Sequence, residues 1–239
     1  MGKNQNHKFL DLPWTIEQQL KAYAEAEGRT ERHEILYWSW KQNRRWFAQI
    51  LEYTVASFPS YSQHNETHCR AVIHNIECLL GEDEIRRLSP TDCFTILMAV
   101  YLHDVGMSMT DDDRRGIVNS KEFLEWVAQL ENSTDLDYKE AVQSLQRTDY
   151  SQDESDDSTI NYRRLYSQKL DVFYALTFLI SSQQRKNHAA VAAERMKSWV
   201  LNPDKLEGGL SMTGIPTRIF LLVAECARLH GEMVIEDLM

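Results

Sequence analysis

Residues 90–107 read PTDCFTILMAVYLHDVGM. After a polar first turn the stretch is apolar on nearly every side, until it reaches an adjacent histidine and aspartate. Ser89 is a good N-cap, Pro90 fits the first helical position, and an acid follows in the first turn. These signals predict a helix from Pro90 to about Val105. A helix that is apolar all round is expected to be central and buried.

The polar pair that ends this helix, His103 and Asp104, raises an energetic problem. An ionised carboxylate that is buried without a partner costs free energy, so a cation should compensate Asp104. Either a metal ion or an arginine would serve. If the cation is a metal ion, the rest of the chain has to supply further ligands.

The remaining sequence also has helical periodicity. Glycine and proline are scarce, at 9 and 5 residues, and no alternating strand pattern or internal repeat is present. Thr15 predicts an N-cap, with Gln18 as its capping-box partner. The further predicted helices are Arg32–Ala56, His64–Leu80 with Gly81 as its stop, Lys121–Leu130, Asp171–Ile180, Asn187–Val200 and Ile219–Leu229. The sequence therefore predicts an all-α protein.

Composition excludes several functional classes. The formal net charge is −10 and the pI is near 5.3, which argues against broad binding to nucleic acid or to anionic membranes. No run of apolar residues is long enough to span a membrane, and the polar N-terminus has no signal core. The four cysteines form no C-x-x-C pair and lie in apolar segments, which indicates buried reduced thiols and a cytoplasmic protein.

Four further histidines lie in contexts that favour metal binding. His64 and His68 are four residues apart and share one face of a helix, while His188 and His230 fall on apolar faces. Imidazole and carboxylate are the ligands expected of a hydrolytic transition-metal site, and helix bundles often build such sites from inward-facing side chains. Taken singly, each histidine could instead be a core or rim residue, and His64 could face solvent.

These residues resemble the HD-domain superfamily of metal-dependent phosphohydrolases, in which a histidine is followed later by an adjacent His-Asp pair. The sequence is most similar to an HD variant of bacterial conflict systems, which is often fused to an Hsp90-like ATPase. That variant's Tyr-Ser/Thr-x-His-x-x-x-His pattern matches residues 61–68, its basic residue before His-Ala matches residues 185–189, and its apolar helix ending in His-Gly matches His230-Gly231. The resemblance covers about residues 32–230.

The resemblance implies a role for each matching residue. His68, His103 and Asp104 would ligate a first divalent metal ion, whose identity (Mn, Mg, Fe, Zn or Ni) the sequence does not distinguish. His188 and His230 would bind a second metal or the phosphate. His64 would donate a proton to the leaving oxygen, and Arg185 or Lys186 would bind the phosphate. The two basic residues could equally be a solvated helix start.

The implied function is a cytoplasmic phosphohydrolase of bacterial defence that acts on a nucleotide or another phosphate ester through a metal-activated water. A small phosphate compound would be its substrate, and an Hsp90-like ATPase its fused or partner protein. Three alternatives stay open: a degenerate HD module that binds nucleotide or regulates such an ATPase, a di-iron oxygenase, and an all-α interaction domain without a site.

The sequence departs from the family pattern at its end. The family's last ligand is an Asp on a further helix. The only acidic residues after His230 are Glu232, Glu236 and Asp237. We therefore expect either that the chain is the N-terminal part of a longer protein or that its site is incomplete. The expected organisation is an N-terminal helical extension, residues 1–31, followed by an HD-like helical bundle, residues 32–239. The acidic segment 148–158 is expected to be a loop within that bundle.

Overall fold

A computed structural model describes residues 14–57, 65–146, 159–201 and 214–229, apart from the side chains of residues 53, 55–57, 159–168 and 186. These ranges are helical, with no strand, which confirms the all-α prediction. The helices are α1 (Ile16–Glu25), α2 (Glu31–Ser57), α3 (Glu66–Arg87), α4 (Pro90–Leu102), a 3-10 turn (Val105–Met107), α5 (Asp111–Val118), α6 (Lys121–Leu130), α7 (Leu136–Gln146), α8 (Thr159–Leu201) and α9 (Thr217–Leu229).

The predicted start signals of α1 and α4 are confirmed. Thr15 caps α1 in a capping box with Gln18. At α4, the Ser89 hydroxyl accepts the Asp92 N–H at 3.2 Å, and an Asp92 carboxylate oxygen accepts the Ser89 N–H at 3.0 Å. These bonds satisfy donors that the first helical turn leaves without partners, so the start of α4 is well defined.

Three helix predictions differ from the structure. The two helices expected between residues 171 and 200 are one continuous helix, α8, because the residues that join them include no glycine or proline. Gly81 interrupts the helix as predicted, with a non-helical φ of 73° that suits glycine, but a second helical segment follows directly, so α3 is kinked there and continues to Arg87. Two short helices, α5 and α7, were not predicted, because α5 has no buried residue and α7 buries only Ala141 and Val142, so neither has a long apolar stripe.

The chain divides into two compact units. The first consists of residues 1–52, 63–106 and 188–239, and the second of residues 53–62 and 107–187. The predicted boundary between residues 31 and 32 stays a prediction.

The core of the first unit is built around α4. Helices α1, α3 and α9 all pack against it. Trp40 and Tyr101 meet edge to face with ring centroids 5.1 Å apart, and Phe94 meets Phe220 in the same way at 6.3 Å. The expected central position of α4 is therefore confirmed.

The second unit has a smaller core of its own. Phe123, Ala175 and Leu179 are buried at its centre. Trp126 and Tyr138 pack beside them, with ring centroids 5.9 Å apart. Helices α6, α7 and the first part of α8 contribute these residues.

Among the described residues, no single helix is long and apolar enough to cross a membrane. One bent pair, Pro90–Met107 with Asp111–Val118, has the required length and composition. Most of α4, which forms the first part of this pair, is buried in the core of the first unit.

The cysteines give a direct test of this core. Cys69 and Cys93 are buried as predicted, whereas the prediction is wrong for Cys78 and Cys226, which are exposed. Burial raises the pKa of the Cys69 and Cys93 thiols to about 12. We expect a disulfide reagent to modify Cys78 and Cys226 in the native protein and to reach the other two only after denaturation. Peptide mapping that found Cys69 modified as fast as Cys78 would contradict this packing.

Candidate metal centre

Helix α4 brings the His-Asp pair into the interior of the first unit. His103 is its C-cap residue and donates its backbone N–H to the Ala99 carbonyl at 2.9 Å. Because α4 is buried along most of its length, the turn that follows it is buried as well. The side chains of His103 and Asp104 are only 8% and 3% exposed.

Helix α3 supplies His68 from its first turn. The Asn65 side chain caps this helix by accepting the backbone N–H groups of Thr67 and His68 at 3.0 and 3.3 Å. The next residue, Cys69, is buried and lies with its sulfur 3.5 Å from the Val100 carbonyl of α4. The cap and the thiol contact together hold the first turn of α3 against the end of α4.

The three predicted ligands of the first metal lie together. The Nε2 atom of His103 is 2.9 Å from the Asp104 Oδ2 atom, and the Nε2 atom of His68 is 3.6 Å from the same oxygen. One ligand atom from each residue lies within 4.8 Å of the other two. In a tetrahedral site with bonds of about 2.1 Å, ligand atoms are about 3.4 Å apart, so the two measured distances fall on either side of that value.

The hydrogen bond on the far side of His103 shows why a cation fits here. Its Nδ1 atom is 2.6 Å from the Val100 carbonyl, which can only accept, so Nδ1–H is the donor. In a neutral ring, the Nε2 lone pair would then point at the Asp104 carboxylate. This arrangement is favourable only if a proton or a metal ion lies between them. A backbone carbonyl that orients the far ring nitrogen is typical of metal-binding histidines.

The electrostatics of His103 follow the same geometry. Burial by itself lowers the pKa of His103, but the hydrogen bond and negative charge of Asp104, together with the Val100 carbonyl, more than offset it and leave the pKa raised. The surroundings of this ring therefore favour positive charge. A divalent ion held by His103 and Asp104 would take the place of that proton.

His188 lies near the other oxygen of the carboxylate. Its Nε2 atom is 3.9 Å from the Asp104 Oδ1 atom, whereas His68 and His103 approach Oδ2. Asp104 therefore presents one oxygen to His68 and His103 and the other to His188. This placement is compatible with the predicted role of His188 at a second metal or at the phosphate.

The centre has a closed side and an open side. Side-chain exposure rises from 3% at Asp104 and 8% at His103 to 17% at His188 and 34% at His68. The Asp104 carboxylate is therefore the most deeply buried group of the site, and a ligand that enters from solvent would reach His68 first.

The glycine after the His-Asp pair allows the turn to approach α8 closely. A Cβ atom on Gly106 would lie 2.1 Å from the His188 carbonyl oxygen and 2.8 Å from the Ala192 nitrogen. Beside it, the Arg195 guanidinium donates to the Val105 carbonyl at 3.0 Å. The turn after Asp104 is thereby held directly against the segment of α8 that carries His188.

A polar network holds the other side of the site. Arg44 of α2 donates to Glu66 of α3 at 2.8 Å and to Glu17 of α1 at 3.1 Å. The Tyr101 hydroxyl of α4 donates to the same Glu66 at 3.3 Å. The hydrogen bond from Arg44 lowers the pKa of Glu66, which keeps it ionised. Since Glu66 is two residues before His68, the network also restrains the turn that carries this ligand.

The structure does not test the roles of the other predicted site residues. His64, His230 and the side chain of Lys186 lie outside the described residues. Arg185 is exposed within α8, in the second unit, so residues 185 and 186 are not a helix start as the sequence allowed. All four roles stay predictions.

Sequence reasoning missed several residues that position the ligands, namely Gly106, Arg195, Cys69 and the Arg44–Glu66–Tyr101 network. Two of them could have been recognised from their neighbours in the sequence, because Gly106 follows the His-Asp pair closely and Cys69 adjoins His68. The others act through tertiary contacts alone.

Replacing Gly106 with alanine tests the close approach to α8. The added methyl would overlap the His188 carbonyl, so the turn or the helix must move. We expect Gly106→Ala to lower the free energy of unfolding by about 1–3 kcal/mol and to weaken binding of a divalent metal. Chemical denaturation and metal titration measure the two effects.

Gly116→Ala in α5 is the matched control. Nothing lies within 4 Å of the position that its Cβ would take. Alanine in a helix interior should stabilise by about 0.5–1 kcal/mol, and metal binding should be unchanged. The close approach would be contradicted if Gly106→Ala behaved like this control.

Comparison with known proteins identifies the family to which the chain belongs. No curated protein and no solved structure matches the chain. The HD-CE family model matches residues 58–238, which is well over half of the sequence and includes His68, His103, Asp104 and His188. The matched region therefore contains an HD-type domain, and the chain belongs to the HD-CE family.

Proposed function

We propose that this protein is a metal-dependent phosphohydrolase that acts on a nucleotide or another phosphate ester. The observation that carries the proposal is the buried Asp104 carboxylate with the Nε2 atoms of His68 and His103 beside one of its oxygens. The HD-type domain adds independent support.

The donor set suits a transition-metal ion. Two imidazole nitrogens and a carboxylate oxygen match the preferences of zinc, iron and nickel better than those of magnesium, which prefers oxygen ligands and keeps its waters. A bound divalent ion would lower the pKa of a coordinated water and screen the charge of a phosphate.

The protein's own residues would divide the remaining tasks. His103 is held in one orientation by the Val100 carbonyl, so its Nε2 atom is available as a ligand without further ordering. His68 lies at the open side, where a substrate would arrive. His188, on the Oδ1 side of Asp104, would serve a second metal or a phosphate oxygen. His64, one helical turn before His68 in sequence, would protonate the leaving oxygen.

The acidic composition limits how a phosphate substrate can be attracted. With a net charge of −10, the protein as a whole repels anions. Attraction must therefore come from the metal and its neighbours, which makes catalysis depend fully on metal loading. A fused or partner Hsp90-like ATPase and a role in bacterial defence are part of the proposal on the strength of the resemblance alone.

Removing a ligand should abolish metal binding and turnover together. We expect His103→Ala to weaken binding of Zn²⁺ or Mn²⁺ by more than about a hundredfold, since loss of a group that only orients a metal ligand already costs about 10- to 100-fold. His74→Ala is the control, because His74 lies on α3 outside the cluster. Calorimetric titration measures binding, and phosphate release from a panel of nucleotides and phosphate esters measures turnover.

A further variant separates binding from chemistry. His64→Gln should bind metal like the unmodified protein and lose most of its turnover, as expected of a proton donor. A protein that binds none of the tested metals would overturn the proposal. A protein that binds metal and nucleotide without turnover would replace it with the degenerate HD module.

A further inference from the structure

The second unit contains a groove that the metal centre does not use. It lies between α7 and α8 and has a volume of about 440 Å³. Its lining residues are Asp137, Glu140, Ala141, Ser144, Asp171, Tyr174, Ala175 and Phe178. All of them belong to the second unit.

The floor and one edge of the groove are apolar. Ala141 and Ala175 are buried at its base. Tyr174, at the edge, is 60% exposed, and its α8 neighbours Leu170 and Phe173 are 53% and 54% exposed. Leu170 lies one helical turn before Tyr174, so the exposed side chains extend the apolar surface beyond the groove along α8. Contiguous exposed apolar surface of this kind is typical of interaction sites.

The rim of the groove is acidic. Asp137, Glu140 and Asp171 are all exposed. None of them forms an ion pair with a basic side chain in the part of the chain that the structure describes. Three carboxylates around an apolar floor repel anionic ligands and favour a cationic partner that also has an apolar face.

A groove with an apolar floor and an acidic rim favours one kind of ligand, an amphipathic helix with basic residues. An amphipathic helix can place an apolar stripe in a groove between two helices, with flanking Lys or Arg residues against the rim. The ring of Tyr174 could also receive one of these cations. A second copy of this chain fits poorly, because each copy carries a net charge of −10.

We propose that the groove between α7 and α8 is a docking site for a basic amphipathic helix of a partner protein. The proposal goes beyond the phosphohydrolase function and is independent of it, since no lining residue belongs to the metal centre. Binding would join an apolar contact on Tyr174 and Phe178 to ion pairs at Asp137, Glu140 and Asp171.

A designed peptide tests the proposal with the full chain. The probe is a fluorescent helical peptide with leucines along one face and lysines on both flanks, and a scrambled peptide of equal composition lacks the apolar face. Anisotropy titration should show tighter binding of the amphipathic peptide. Equal binding of the two peptides would overturn the proposal.

Two triple variants locate the binding surface. Asp137→Asn, Glu140→Gln and Asp171→Asn together remove three rim charges and should weaken binding about five- to tenfold, as expected for three exposed ion pairs. The matched control removes three exposed charges elsewhere, through Glu27→Gln, Glu52→Gln and Glu122→Gln. It should change binding less than about twofold, by lowering the overall charge alone.

The remaining outcomes are also decisive. Equal weakening in both triple variants would show general electrostatic attraction and overturn the proposal. Self-association that sedimentation detects in the unmodified protein and that the rim variant loses would assign the groove to a second copy. Loss of peptide binding in Tyr174→Ala, with an unchanged unfolding free energy, would support the docking site.

Discussion

The site depends on the placement of one carboxylate, Asp104, in the interior of the first unit. Burial removes most of the water that would otherwise solvate its charge, so neighbouring groups have to stabilise it. Two imidazole nitrogens approach one of its oxygens and a third approaches the other. For His103, whose Nδ1–H donates to the Val100 carbonyl, the Nε2 atom becomes a favourable neighbour only when a proton or a metal ion lies between it and the carboxylate. The apolar helix α4 therefore places a negative charge in the interior, and His68 and His103 lie where they could hold a balancing metal ion beside it.

The surrounding structure keeps these donors in place. The Val100 carbonyl orients the His103 ring and also lies against the Cys69 sulfur, so a single carbonyl links the end of α4 to the first turn of α3. On the other side, the absence of a side chain at Gly106 lets the turn lie against the His188 carbonyl. Contacts of this kind reduce the ordering that metal binding would otherwise require. The groove proposed as a docking site lies in the second unit, which has a core of its own.

Much of the fold and part of the site could be predicted from the sequence, because the signals are local. The Ser89 cap, Pro90 and the uninterrupted apolar run define α4, and α4 makes the burial of Asp104 predictable. The close approach at Gly106 and the Arg195 bond depend on which helices pack together, which periodicity does not reveal. The sequence likewise predicts two helices where the structure has α8, because the polar middle of α8 interrupts the apolar pattern but not the backbone hydrogen bonds. Helix α5 has no buried residue and α7 buries only Ala141 and Val142, so neither has a long apolar stripe.

Anomalous diffraction at the zinc edge, from crystals soaked in Zn²⁺, would locate a metal ion beside Asp104. We expect one strong peak in the first unit, about 2.0–2.2 Å from the Nε2 atoms of His68 and His103 and from a carboxylate oxygen of Asp104. A second peak near His188 and the other carboxylate oxygen would indicate a second metal ion. A zinc ion bound elsewhere, with no peak between His68, His103 and Asp104, would contradict the proposed metal centre.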